Sequence, residues 1–225
     1  MDFHANNDAK LAHNLARQIT REIVAGDFAG DQFLGREATI LARYGVSRDT
    51  FREALRQLEW LGIARSQRGV KGGLYVQAPK QSIVVNLLRD YFDFSQASLD
   101  NLLDVRAVLE QELVRAALAR LSDRDVVRLR ILQGQYHAGM SRDQFVVLLF
   151  SYYRQLMDIA DNEVITLCLT PLIFATVDLV NFEKLRDEEF AANSALAWSK
   201  LCSLLSEIIA GNSLVASRYL HEFLD

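Results

Sequence analysis

Apolar residues recur every three or four positions along most of this chain, the spacing that gathers them on one face of an α-helix. The clearest example lies near the N-terminus, where aliphatic residues stand four apart: Leu11, Leu15, Ile19 and Ile23. This spacing predicts a helix from about residue 8 to residue 26. Two shorter helices are predicted after it, at residues 36–44 and at about residues 48–61, and Gly62 ends the second of them.

The pattern changes after Gly62. Residues 63–67 and 74–77 are predicted strands, and the six residues between them form a basic loop that contains three glycines. The order helix, helix, turn, helix and hairpin is that of a winged helix-turn-helix. We therefore predict a DNA-binding domain of this kind, with a small β-hairpin, over residues 1–78.

Helical spacing returns beyond Pro79 and continues to the end of the chain. Seven candidate helices are marked out by polar and glycine breaks, and Pro171 is expected to kink or split the fifth. They cover residues 82–94, 98–121, 123–138, 141–160, 163–183, 187–210 and 212–224. Six or seven helices on about 145 residues predict an antiparallel all-α bundle over residues 79–225. The fold class is therefore mainly α.

Composition agrees with this organisation. Half of the 225 residues are hydrophobic and only two are prolines, which favours a well-filled helical core over disorder. We find no run of about eighteen uncharged apolar residues and no signal-peptide core, so we predict no membrane partner and a cytoplasmic location. Cys168 and Cys202 lie in apolar helical patterns and are expected to be buried free thiols.

The net charge of −4 by itself argues against a nucleic-acid partner. Residues 1–78, however, carry eleven Lys and Arg against nine Asp and Glu, and residues 43–71 carry seven against three. A local basic surface is sufficient for DNA binding, because salt screens Coulomb attraction over about 10 Å. The charge distribution therefore leaves DNA as a partner of the first domain.

Basic residues on the third predicted helix give this surface its chemistry. Ser47 is a residue type that caps helix N-termini, and Arg48, Arg52 and Arg56 follow it four residues apart on one face. Such a helix suits the DNA major groove, because arginine can pair with guanine edges or with phosphates. The basic hairpin could be an ordinary solvated turn, but its place directly after this helix favours a wing that approaches the DNA backbone.

Several motifs resemble the GntR superfamily of bacterial transcription regulators. They are Glu37, Gly45-Val46-Ser47-Arg48, Arg52-Glu53-Ala54-Leu55, Leu58, Gly62 and the glycine-rich hairpin. The resemblance implies two sets of DNA contacts, with the recognition helix supplying Ser47, Arg48, Thr50 and Arg52 and the wing tip supplying Arg68 and Gly69. Ala38 departs from the pattern, because several relatives have a DNA-contacting arginine there. We therefore expect an operator that differs from those of close relatives.

The second domain resembles the C-terminal ligand-sensing domain of the FadR subgroup of this superfamily. The matching segments are residues 100–106 and 153–162. Many members of the subgroup bind a divalent metal through a carboxylate and three histidines. Leu149 and Tyr153 stand at two of those ligand positions here, so we predict no metal and no other cofactor.

The lack of a metal site is shared with the branch of the subgroup that binds long-chain acyl-CoA. Arg106 falls on an arginine that helps bind the ligand in that branch. The resemblance therefore implies an effector site at Arg106 and Tyr153 for an acyl-CoA or another amphipathic organic acid. An ion pair with Glu110, one turn further along the helix, is the alternative role of Arg106. A ligand-independent regulator is the corresponding alternative function.

A DNA-binding head joined to a ligand-sensing bundle predicts a mechanism. Two copies would pair as a homodimer and present two recognition helices to a pseudo-palindromic operator, and an effector would change DNA affinity by favouring one dimer arrangement. We find no phosphate loop, nucleophile elbow or catalytic cluster, so no enzyme activity is expected. A helical adaptor that uses the winged helix for protein contacts is the remaining alternative.

Overall fold

The computed structural model describes residues 3–26, 30–180 and 182–212. Internal contacts divide the chain into two units, Met1–Val84 and Val85–Asp225, each with its own hydrophobic core. The first unit begins with α1 (Phe3–Ala25), which starts earlier than predicted. It buries one face against its neighbours through Ala12, Leu15, Ala16, Ile19 and Ile23.

The rest of the first unit is a helix-turn-helix followed by a wing. The elements are β1 (Phe33–Gly35), α2 (Glu37–Tyr44), α3 (Arg48–Trp60), β2 (Ala64–Gln67) and β3 (Gly73–Val76). Gly45 adopts a left-handed conformation with φ 62° and ends α2, which makes the sharp turn into α3. The inner face of α3 packs into the core through Phe51, Ala54 and Leu58.

The three strands form one antiparallel sheet in the order β1-β3-β2. The predicted hairpin is confirmed as β2 and β3, whereas β1 was not predicted. Three residues are too few to establish an alternating pattern, and the β1–β3 register is irregular. Gly73 allows the close approach of β1, because a Cβ there would lie 2.5 Å from the Phe33 ring and 2.6 Å from the Gly35 carbonyl oxygen.

All the regular elements described in the second unit are helices, which confirms the mainly α fold class. Its elements are α4 (Gln81–Ser95, begun in the first unit), α5 (Leu99–Arg120), α6 (Asp123–Gln133), α7 (Arg142–Ala160), α8 (Glu163–Val180), a 3₁₀ turn (Phe182–Lys184) and α9 (Asp187–Ile209). The centre of the bundle core is made by large side chains that are almost fully enclosed: Phe145, Tyr152, Leu156, Leu169, Ile173, Leu201, Leu205 and Ile208.

The expectations for the end of α6 and for Cys168 were wrong, and one of the two outcomes expected at Pro171 is absent. Helix α6 stops at Gln133 instead of residue 138, because Gly134 ends it. Pro171 does not split α8, which runs unbroken through the buried proline. Cys168 is exposed, since it lies on the outer face of α8, while Cys202 is half-buried. The predicted helix at residues 212–224 lies outside the described residues from residue 213 onward.

Helix α8 is the most apolar helix that the structure describes. Its length and composition alone would allow it to cross a membrane. Ile165, Leu169 and Ile173, however, lie in the bundle core. A central helix packed on several neighbours needs such a composition, so α8 is accounted for as a core helix.

Candidate DNA-binding and effector sites

A side-chain cap holds the start of the recognition helix α3. Ser47 has an extended backbone, and its Oγ accepts a hydrogen bond from the Thr50 amide at 3.1 Å. The hydroxyls of Ser47 and Thr50 lie 2.8 Å apart. Thr50 is only 5% exposed, so most of the residue is turned away from solvent, and its contact with DNA stays a prediction. Its hydroxyl lies against that of the exposed Ser47 and can hold the Ser47 side chain in place.

A cleft of about 810 Å³ lies between α3 and the β2–β3 hairpin. Arg52 lines it from the helix, and Arg68 and Gly69 line it from the hairpin. Arg48 is exposed one turn before Arg52 on α3. The structure therefore brings Arg52 of the recognition helix together with Arg68 and Gly69 of the wing, whereas the other predicted helix residues do not line the cleft: Ser47, Arg48 and Thr50.

Internal hydrogen bonds fix the shape of the hairpin tip. The Gly72 amide donates to the Gly69 carbonyl at 2.8 Å, and the Tyr75 hydroxyl donates to the Lys71 carbonyl at 2.7 Å. At the tip, Val70 is 96% exposed. Because the loop is ordered by its own backbone, it presents Arg68 and Lys71 to solvent in a defined shape.

The arginines between residues 36 and 68 fall into two groups. Three have carboxylate partners: Arg43 lies 2.8 Å from Glu22, Arg65 lies 2.8 Å from Asp31, and Arg56 pairs with Glu53. The other four line the cleft or lie beside it, and among the described residues their side chains have no ionic partner: Arg36, Arg48, Arg52 and Arg68. Their charge is therefore available to an external anion.

In the bundle, Arg106 lies at the centre of a buried polar cluster. Its Nε and Nη2 donate to Oε1 of Glu110 at 2.9 and 2.6 Å, and Nη2 also donates to the Tyr153 hydroxyl at 2.7 Å. The Tyr153 hydroxyl in turn donates to Glu110 at 3.0 Å. The predicted alternative role of Arg106, an ion pair with Glu110, is thus present. Tyr153, which was predicted in the same effector site, lies in direct contact with Arg106.

Burial controls the chemistry of this cluster. The side chains of Arg106 and Glu110 are 7% and 3% exposed. Burial raises the pKa of Tyr153 well above its ordinary range, and the nearby Glu110 carboxylate adds to the effect. Tyr153 therefore remains a protonated hydrogen-bond donor at any physiological pH, and Glu110 neutralises the Arg106 charge inside the protein.

Two buried polar atoms of α7 lack a hydrogen-bond partner among the described residues. The Tyr152 hydroxyl and Oε1 of Gln155 are buried without a hydrogen bond to any described residue. The ring centroids of Tyr152 and Tyr153 lie 5.1 Å apart. Buried polar atoms are nearly always satisfied in proteins, so both atoms are exceptions among the described residues.

Two family models match the chain and cover most of it. Residues 11–76 match the family described as bacterial regulatory proteins, gntR family, and residues 101–224 match the FCD domain. The chain belongs to the GntR family. It is a DNA-binding transcription regulator with an FCD effector-binding domain. GntR-family members are transcription regulators and not enzymes.

One solved structure of a GntR protein shares this fold. "Streptococcus agalactiae GntR" superposes with a TM-score of 0.61 at 19% identity, over 95% of this chain and 96% of that chain. "E. coli McbR/YncC" has a TM-score of 0.46 at 15% identity, over 95% and 93% of the two chains. At such identities the first likeness shows a common fold and nothing finer.

The residues of this FCD domain do not suit the divalent metal that many members of the FadR subgroup bind. Leu149 and Tyr153 stand where the resemblance would place two of the metal ligands, and neither offers a carboxylate or an imidazole. Within the described residues, no three His, Cys, Asp or Glu side chains are grouped closely enough to hold an ion. The positive charge in this region is the Arg106 guanidinium, which contacts Tyr153.

Two residues of these sites were not predicted as members. Glu110 was considered only as an alternative partner of Arg106, and its contact with Tyr153 depends on how α5 packs against α7. Arg36 lines the cleft from the start of α2. The sequence offered one indication for Arg36, which is that an arginine stands where α2 was predicted to begin.

Proposed function

We propose that this GntR-family regulator binds a specific pseudo-palindromic operator as a homodimer. Arg48 and Arg52 would contact the major groove from α3, and Arg68 and Gly69 would enter the minor groove from the wing. Ser47 would donate its hydroxyl to a phosphate, held in place by Thr50. The observation that carries the proposal is the cleft between α3 and the hairpin, whose arginines have no partner among the described residues.

Physical chemistry assigns a different task to each group. Arginine can donate two parallel hydrogen bonds to O6 and N7 of guanine, so Arg48 and Arg52 suit base recognition. Gly69 has φ 97° and no side chain, which lets the wing backbone approach the sugar-phosphate edge. A dimer would place two recognition helices one helical turn of DNA apart, about 34 Å. Such a regulator acts in the cytoplasm, where the chromosome is.

The DNA proposal can be tested without knowing the operator. A duplex is first selected from a randomised library with the wild-type protein, and binding is then measured over a range of salt concentrations. The double variant Arg48→Ala/Arg52→Ala should lose most of its preference for the selected duplex over a scrambled one. Arg56→Ala is the matched control, because Arg56 lies on the same helix but already pairs with Glu53. Unchanged affinity and salt slope in the double variant would favour the adaptor alternative.

For the bundle, we infer that the region around Arg106 and Tyr153 takes a small amphipathic acid as effector. An anionic group would replace Glu110 at the Arg106 guanidinium, and the unpaired Tyr152 hydroxyl would donate a further hydrogen bond. A fatty acyl-CoA is the specific candidate that the resemblance to the FadR subgroup suggests. The surrounding apolar core residues suit an acyl chain.

A ligand-independent regulator is the second candidate function, and one observation favours it. Glu110 already neutralises Arg106 at 2.6 Å, so an incoming anion must displace a buried partner. Long-chain acyl-CoA and free fatty acids titrated into the DNA-bound protein separate the two candidates. Release of DNA together with heat of binding supports the effector site, whereas neither effect with any of these acids favours ligand independence and leaves the DNA proposal standing.

A further inference from the structure

The N-cap residues of the helices, which stand just before each helix, are of two types. Six described helices begin after a residue with a defined cap conformation. In α3, α5, α6 and α7 that residue is a serine whose side chain accepts a hydrogen bond from a backbone amide three residues further on: Ser47, Ser98, Ser122 and Ser141. In α2 and α9 it is an arginine, Arg36 and Arg186.

Arginine is a poor residue with which to begin a helix. It has no acceptor for the free amides of the first turn, and its charge lies at the positive end of the helix dipole. Arg36 has φ −78° and ψ 152°, close to the values of Ser98, yet its side chain makes no capping hydrogen bond. A serine would fit the same backbone. Helix α2 therefore lacks a stabilising side-chain cap, and the stability of the fold does not explain why arginine stands at this position.

Arg186 shows how an arginine at such a position can serve the fold. Its Nη2 donates to Oε1 of Glu189 at 2.6 Å, and its amide donates to the same carboxylate at 3.1 Å. Arg36 has no counterpart to this contact among the described residues. Its exposed side chain instead lines the cleft together with Arg52 and Arg68.

We propose that Arg36 binds a phosphate of the DNA backbone, and that this contact explains why α2 begins after an arginine and not after a capping serine. The proposal rests on the proposed operator binding. In a helix-turn-helix the second helix enters the groove and the first crosses the backbone, so the residue that begins α2 meets phosphate and not base edges. Glu37 lines the same cleft, and its acidic side chain repels phosphate, which leaves Arg36 as the anion-binding group at this end of α2.

The substitution Arg36→Ser tests the proposal because it should move two measured quantities in opposite directions. Serine restores a cap, so the melting temperature should stay the same or rise. Affinity should fall about three- to tenfold at 0.15 M salt, equally for the selected duplex and a scrambled one, and the salt slope should fall by about one. Arg36→Lys, which keeps the charge, should recover most of the affinity.

Arg186→Ser is the matched control, since it makes the same change at the start of α9. It should leave DNA affinity and salt slope unchanged while removing the contact with Glu189. Wild-type affinity and salt slope in Arg36→Ser would overturn the phosphate contact. A loss of affinity accompanied by a lower melting temperature, and not restored by Arg36→Lys, would also overturn it, because that result describes a structural role. Loss of binding in Arg48→Ala/Arg52→Ala alongside either result would leave the proposed function intact.

Discussion

Arg48 and Arg52 of the DNA-binding unit and Arg106 of the bundle have opposite surroundings. Arg48 and Arg52 are exposed and have no ionic partner among the described residues, whereas Arg106 is almost fully enclosed and bonded to Glu110 and Tyr153. A surface charge is solvated by water and remains available to bind an external anion. A buried charge must be neutralised within the protein, because its desolvation is otherwise too costly.

The difference has a consequence for regulation. Binding of DNA by the first unit needs no internal contact to break, so the encounter can be governed by long-range attraction and by salt. Binding of an anion at Arg106 must offset the loss of the Glu110 contact inside a low-dielectric core. An effector of this bundle therefore has to supply strong hydrogen bonds or a large apolar surface.

Removal of Glu110 should have the largest effect. Glu110→Ala leaves Arg106 buried without its counter-charge, and breaking a buried pair in this way costs about 3–5 kcal/mol of unfolding free energy. Urea denaturation of the full-length protein measures it. The double variant Arg106→Met/Glu110→Leu should regain most of the loss, because neither charge is then buried. A loss below about 1 kcal/mol in Glu110→Ala would show that Arg106 is solvated, and the contrast with the first unit would fail.

Replacing an arginine by lysine should distinguish base contact from simple electrostatic attraction in the first unit. Arg52→Lys keeps the charge but loses the two-pronged donor geometry, so affinity for the selected duplex should fall by about 1–3 kcal/mol while affinity for a scrambled duplex changes little. Unfolding free energy should stay within about 0.5 kcal/mol of wild type, because Arg52 is exposed. Equal losses on both duplexes would assign Arg52 to phosphate instead of base.

Much of the first unit could be predicted from the sequence because its information is local. The serine cap at Ser47, the left-handed glycine at Gly45 and the apolar spacing of α3 all act within a few residues. The burial of Thr50 could not be predicted in this way, because it depends on how α3 packs into the domain core. Strand β1 is equally non-local, since its three residues are a strand only by pairing with β3.

The cluster around Arg106 shows where sequence information ends in the bundle. A contact between Arg106 and Glu110 follows from their four-residue spacing on one helix. The contact with Tyr153 joins residues 47 positions apart, and nothing in the spacing fixes the register of α5 against α7. The charge balance of the site therefore became clear only from the packed structure.

The two units also offer a matched pair of helix caps. Ser47→Ala and Ser98→Ala each remove one serine cap with a similar backbone conformation. Each should cost about 1 kcal/mol of unfolding free energy. Only Ser47→Ala should also weaken DNA binding, because that cap orders the start of the recognition helix. Equal DNA affinity in the two variants would remove Ser47 from the interface.

The smallest effect is expected where an arginine of the first unit is already paired. Arg43 lies 2.8 Å from Glu22 and is 62% exposed, and exposed ion pairs contribute about 0–1 kcal/mol. Arg43→Ala also leaves Glu22 with a second partner, the Tyr44 hydroxyl at 2.7 Å, whose pKa burial and Glu22 together raise to about 12. Unfolding free energy should therefore change by less than about 0.5 kcal/mol, and the salt slope of DNA binding should stay at the wild-type value. A slope lowered by about one would mean that paired arginines contact DNA as well, so that freedom from an internal partner does not mark the interface.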